Sequence, residues 1–162
     1  VVEFFAFFKN NPLSKIAFWG AFVYFFAVYS YQYFVTYPRL LPYAWQYGFE
    51  QIASYTAKNG YKYEKIVITD RYDQPYILMA FYLKFPPERM QKEVKMTPRD
   101  KFGFSTVQKL DKYEFRTIDF GADSKLQNTL IISADEPVDD KMVIDEIKDP
   151  AGKVMYKIVA TP

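Results

Sequence analysis

The sequence predicts a small mixed-sheet α/β sandwich domain preceded by one transmembrane helix. Three observations carry that prediction. Residues 16–38 hold no charged side chain, although Lys15 and Arg39 flank them. Short β-branched runs at 65–69 and 130–133 are separated by helix-like segments, the pattern of strands joined by crossovers. A hairpin signal closes the chain, with Asp149-Pro150-Ala151-Gly152 set between two strand-like runs.

The chain opens without Met on the aromatic stretch VVEFFAFF, so it is expected to be a piece of a longer protein. Residues 1–15 read as the end of an upstream membrane or interfacial segment, with a polar turn at Lys9-Asn10-Asn11-Pro12. Residues 16–37 form the predicted transmembrane helix, because a bilayer core takes ~20 predominantly apolar residues. Trp19 stands near one end, and Tyr29, Tyr31, Tyr33 and Tyr37 crowd the other, where amphipathic rings favour the headgroups. A buried core helix is a poorer fit for so long an uncharged run, and a signal peptide would carry a small-residue cleavage site. Lys9 and Lys15, against Arg39 and the more distant Lys58, favour a cytoplasmic N-terminal side by the positive-inside rule. Residues 38–162 are then a soluble domain on the extracytoplasmic side of the cell membrane.

Within that domain, residues 42–60 read as a helix. Trp45, Phe49, Ile52 and Thr56 share one face, and Asn59-Gly60 is the expected left-handed stop. Residues 65–69 (KIVIT) are a buried strand. Pro75 opens a helix over 75–84 that is apolar nearly all round and therefore expected to be buried, and Pro86-Pro87 ends it. Residues 88–101 read as a short helix and a surface loop. Further strands are predicted at 113–120, 130–133, 142–147 and 154–160, with a helical turn at 123–128. The resulting sheet is parallel first and antiparallel at its edge.

Composition excludes several function classes. The net charge of +2, from 21 basic and 19 acidic residues, is too small to imply nucleic acid. Cysteine and histidine are both absent, which removes thiolate metal sites, the commonest zinc ligand and the commonest general base. Any catalysis would rest on Asp, Glu, Lys, Tyr or Arg. No glycine-rich phosphate loop and no GxSxG elbow occurs. No catalytic residue, metal or cofactor is expected in this chain.

The candidate site is the loop TDRYDQPY at 69–76. It leaves the carboxyl end of a strand and enters a helix N-terminus, where α/β sheets bind ligands and backbone N–H groups favour anions. Asp70, Arg71, Tyr72, Asp73 and Gln74 are its candidate substrate-binding residues. Arg71 is the side chain able to grip an anion with two parallel bonds, and Tyr72 could stack on a sugar face. The competing reading is structural: Asp73 or Gln74 caps the helix while Arg71 pairs with a neighbouring acid. Asp135, Glu136, Asp139 and Asp140 match no calcium-loop spacing and read as a solvated turn. Lys84, Arg89, Lys92, Lys95, Arg99 and Lys101 form either a charged surface stretch or a rest on anionic headgroups.

Four phrases, SYQYFVTYP, AWQYGFEQIASY, YEKIVITDRYDQPYILMAFYLKFPPERMQ and LDKYEFRTIDF, give the chain a further character. From about residue 30 to 120 it resembles the C-terminal end of bacterial polytopic membrane glycosyltransferases of the dolichyl-phosphate-mannose protein mannosyltransferase and aminoarabinose transferase type. The resemblance implies further membrane helices upstream, a polyprenyl-phosphate sugar donor, an acceptor, and a soluble extracytoplasmic C-terminal domain. It also implies that the catalytic carboxylate lies in an early extracytoplasmic loop outside this chain, so no catalytic residue carries over to any position here. This domain would then be a lid, scaffold or acceptor platform. The alternative is a membrane-anchored extracytoplasmic ligand-binding or structural domain.

Overall fold

The computed structural model describes residues 11–72 and 74–162. The expected upstream segment at 1–10 and Asp73 lie outside the described residues. The chain divides into two compact units, the first ending at Leu41 and the second covering Pro42–Pro162.

The described part of the first unit, residues 11–41, is a helix. Asn11 caps it, its side-chain oxygen accepting from Leu13 N at 3.0 Å, and Pro12 occupies the first turn, where a missing N–H is harmless. Helix α1 (Pro12–Tyr31) continues through a π-helical turn (Gln32–Thr36) into α2 (Tyr37–Leu40). The whole span Pro12–Leu40 is long and apolar enough to cross a membrane, and none of its apolar window is buried. It starts and ends a few residues outside the predicted 16–37, because Asn11-Pro12 is the better initiation signal.

The second unit is a mixed α/β fold on a seven-stranded sheet in the order β2-β3-β4-β1-β5-β7-β6. The strands are β1 (Lys65–Ile68), β2 (Lys95–Met96), β3 (Val107–Leu110), β4 (Tyr113–Phe115), β5 (Thr129–Ser133), β6 (Val143–Lys148) and β7 (Val154–Ala160). Central β1 pairs in parallel with both β4 and β5, while the pairs toward both edges are antiparallel. Antiparallel pairing thus brackets the parallel core on both sides, instead of closing it on one. Residues Ile66, Val67, Ile68, Leu130, Ile131 and Ile132 are fully buried, as central parallel strands covered on both faces require.

The two faces are covered differently. Helices α3 (Phe49–Asn59) and α4 (Pro75–Tyr82) bring Phe49, Ile52, Ala53 and Met79 onto Ile66, Ile68, Leu130 and Ile132. On the other face, Val67, Ile131 and Val159 lie under Ile118, Phe120, Val138 and Met142, from irregular segments and short turns rather than long helices. Among the described residues, two further α-helices are α5 (Pro87–Glu93) and α6 (Phe120–Asp123).

Several local expectations are corrected. The helix expected from residue 42 starts at Phe49, because Gly48 at φ +103 interrupts it, and Trp45 is half exposed. Gly60 is not left-handed; at φ −61 it carries the chain into a 3-10 turn. Helix α4 buries only Pro75 and Met79, and leaves Phe81 71 % exposed. The expected loop before residue 101 holds β2, the edge strand of a hairpin with β3. The strand expected to reach residue 120 stops at Phe115, where Arg116 turns to pair with Asp123. The closing hairpin forms with Gly152 at φ +85, as its turn chemistry demands.

Candidate functional site

Parallel pairing sets the carboxyl ends of β4, β1 and β5 side by side, so the loops that follow them share one edge of the sheet. The connection after β1 runs to α4 on the helix-covered face. The connection after β4 runs through Ile118 and Phe120 on the opposite face. Adjacent strands whose connections part to opposite faces leave a crevice between their carboxyl ends, the usual ligand position in open α/β sheets.

The β1 loop is tied on both sides. Thr69 Oγ1 donates to Glu136 Oε1 and accepts from Arg71 N at 3.1 Å, while the second Glu136 oxygen accepts from Ala134 N at 2.8 Å. Arg71 meets Asp135 side-on, with Nε at 3.0 Å and a terminal nitrogen at 3.1 Å. On the β4 side, Thr117 Oγ1 donates to Asp70 Oδ1 at 3.0 Å. Tyr72 accepts at its carbonyl from Gln46 Nε2 at 2.6 Å, and its ring packs against Tyr43 and Tyr156. Burial chiefly, and then Asp135 and Glu136, push the Tyr72 phenol above its ordinary range, so it stays protonated.

A half-open cavity of about 450 Å³ fills the crevice between β1 and β4. Asp70 and Gln74 line it from the β1–α4 loop and Pro75 from the start of α4, Phe115 and Arg116 from the end of β4 and the residue after it, and Thr97, Asp100, Phe104, Ser105, Thr106 and Gln108 from the β2–β3 hairpin. Arg116 gives both terminal nitrogens to Asp123, at 2.9 and 2.7 Å. Those bonds raise the guanidinium further above its already high ordinary value. Its charge is therefore matched inside the protein, and the cavity's ligand groups are mainly hydroxyls, amides and carboxylates. That donor and acceptor set, beside the exposed ring of Phe104, matches a hydroxyl-rich ligand with an apolar face better than a bare anion.

Of the sequence candidates, Asp70 and Gln74 lie in the cavity wall. Arg71 turns the other way, onto Asp135, and Tyr72 packs toward Tyr156; Asp73 lies outside the described residues. The hairpin half of the cavity went unread, since its only sequence signal is a polar stretch, Ser105-Thr106 and Gln108, of no periodicity. The acidic stretch is spent on local bonds: Asp139 caps a turn through Lys141 N and Asp140 pairs with Lys157. Among the described residues, no group of His, Cys, Asp or Glu is arranged to hold a metal ion.

No protein-family model matches the chain, and neither the curated proteins nor the solved structures hold a significant match to it.

Proposed function

We propose that this chain is the non-catalytic C-terminal part of a membrane glycosyltransferase that draws on a polyprenyl-phosphate-linked sugar. Span Pro12–Leu40 anchors it, and the α/β domain holds a sugar-bearing ligand on the extracytoplasmic side. One observation carries this reading: a crevice lined by hydroxyl, amide and carboxylate groups, at the switch point in the parallel core of a mixed sheet, in a chain with a helix apolar enough for a bilayer. The resemblance of residues 30–120 to polytopic glycosyltransferases supplies the reaction class. In it, an upstream Asp or Glu takes the proton of an acceptor hydroxyl while the lipid phosphate leaves. This chain's residues bind and orient: Asp70 accepts from sugar hydroxyls, Gln108 both accepts from and donates to them, and Phe104 offers a stacking face.

Titrating the chain in lipid nanodiscs with polyprenyl-phosphate-mannose, against bare polyprenyl phosphate, tests the reading. Saturable binding of the sugar-bearing lipid at least about fivefold tighter than the bare lipid is expected. Gln108→Ala should reduce that preference, and no sugar should be transferred to acceptor by this chain alone. Equal binding of the two lipids, or none, would leave a structural domain whose β1 loop is saturated by Asp135, Glu136 and Thr117.

A further inference from the structure

The basic stretch before residue 101 ends in a turn whose Arg99, Lys101 and Phe102 play no part in the sugar-binding reading. Hairpin β2–β3 closes through Thr97 N to Thr106 O at 2.8 Å and Thr106 N to Thr97 Oγ1 at 3.0 Å. At its tip, Asp100 N donates to Phe104 O at 2.8 Å, and Gly103 N donates to Asp100 O at 3.0 Å. Asp100 Oδ1 accepts from Phe102 N at 2.8 Å and from Phe104 N at 2.9 Å. Gly103, at φ +87, supplies the left-handed residue that closes the turn. This hydrogen-bonded turn exposes two large apolar rings, Phe102 at 72 % and Phe104 at 73 %, of which Phe104 also lines the cavity.

We propose that this tip is a second membrane contact, in which Phe102 enters the headgroup region of an anionic lipid surface and Arg99 and Lys101 rest on its phosphates. Three features select lipid as the occupant. The N–H groups of Asp100, Phe102, Gly103 and Phe104 all donate within the turn, so the tip enters a water-poor layer without stranding those donors. Arg99 and Lys101 are exposed, and among the described residues neither forms an ion pair; Lys101 Nζ instead lies 4.9 Å from the Phe102 ring centre. Aromatic rings flanked by cations are the composition of a bilayer interface. The same chain carries a span fit to cross a bilayer, which ends at Leu40, only residues 41–48 before α3. The proposal rests on membrane anchorage and is independent of any sugar ligand.

The chain reconstituted into vesicles allows a direct test by quenching with lipids brominated near the headgroup. A Trp45→Phe variant reports on Trp19 in α1. A Trp19→Phe, Trp45→Phe, Phe102→Trp variant reports on the tip, and Trp19→Phe, Trp45→Phe, Ala151→Trp reports on the β6–β7 turn. The expected result is lipid quenching at positions 19 and 102, while position 151 stays accessible to acrylamide. Adding Arg99→Glu and Lys101→Glu should at least halve the quenching at 102 on vesicles with a third anionic lipid, and leave position 19 unchanged. Quenching at 19 with position 102 open to acrylamide would overturn the tip contact while leaving anchorage intact. Shielding of 102 from both quenchers would overturn it too, since protein would then cover the tip. Absence of quenching at both 19 and 102 would overturn anchorage and tip together.

Discussion

Gly48 lies directly beneath the ring of Tyr156. A Cβ at position 48 would stand 2.9 Å from Tyr156 Cε2 and 3.2 Å from a methyl of Ile147. The backbone there has φ +103, so glycine serves both the conformation and the close approach. This contact seats the start of α3 on β7, and it joins Phe49, Tyr156 and Tyr72 into one edge-to-face aromatic row.

Gly48→Ala is therefore expected to destabilise the domain by about 2–4 kcal/mol, from the left-handed backbone and the displaced ring together. The urea midpoint should fall with an unchanged slope. Gly48→Ala combined with Tyr156→Leu should recover part of the loss, because the steric half of the penalty goes with the ring.

The Tyr156 hydroxyl is fully buried and has no hydrogen-bond partner among the described residues. Burial above all, then Tyr72 and Glu136, holds its pKa well above the ordinary 10.0. Below pH 10 both folded and unfolded states keep this proton, and the contribution to stability is complete. Above pH 10 the unfolded chain releases it first, so stability falls as pH rises toward the folded-state value, by up to ~1.4 kcal/mol per pH unit. Tyr156→Phe should be neutral or stabilising by about 1 kcal/mol at pH 7, since it deletes an unpaired polar group. Its thermal midpoint should also fall less between pH 10 and 11 than that of the unaltered chain.

Two arginine pairs at the same sheet edge should behave oppositely. Asp123 is 4 % exposed and takes both terminal nitrogens of Arg116, so Arg116→Ala strands a buried carboxylate and should cost about 3 kcal/mol. Arg71 and Asp135 have side chains more than half exposed, at 58 % and 53 %, and Arg71→Ala should shift stability by under about 0.5 kcal/mol. Denaturant melts of the two variants give the comparison directly. Ligand titration of Arg71→Ala should match the unaltered chain, because this side chain faces Asp135 and not the cavity.

Sequence by itself determined the elements whose signal is local. The uncharged run gave the long helix, the β-branched runs gave β1 and β5, and Asp149-Pro150 with Gly152 gave the closing hairpin, because hydrophobic period and turn chemistry act over a few residues. Tertiary structure decided the rest. Lys95 and Met96 form an edge strand only because Val107–Leu110 pairs with them, and nothing in their own side chains asks for it. Helix α4 looked buried all round, yet it lies on the sheet's outer side with Met79 inward and Phe81 in solvent. Arg71 could have faced a ligand, but Asp135, 64 residues away, is brought beside it by the parallel pairing of β1 with β5. The cavity likewise joins residues from three connections that meet only at the carboxyl ends of β1 and β4. Side-chain type is written in the sequence; which charge finds which partner is set by strand order, and that is fixed only when the sheet closes.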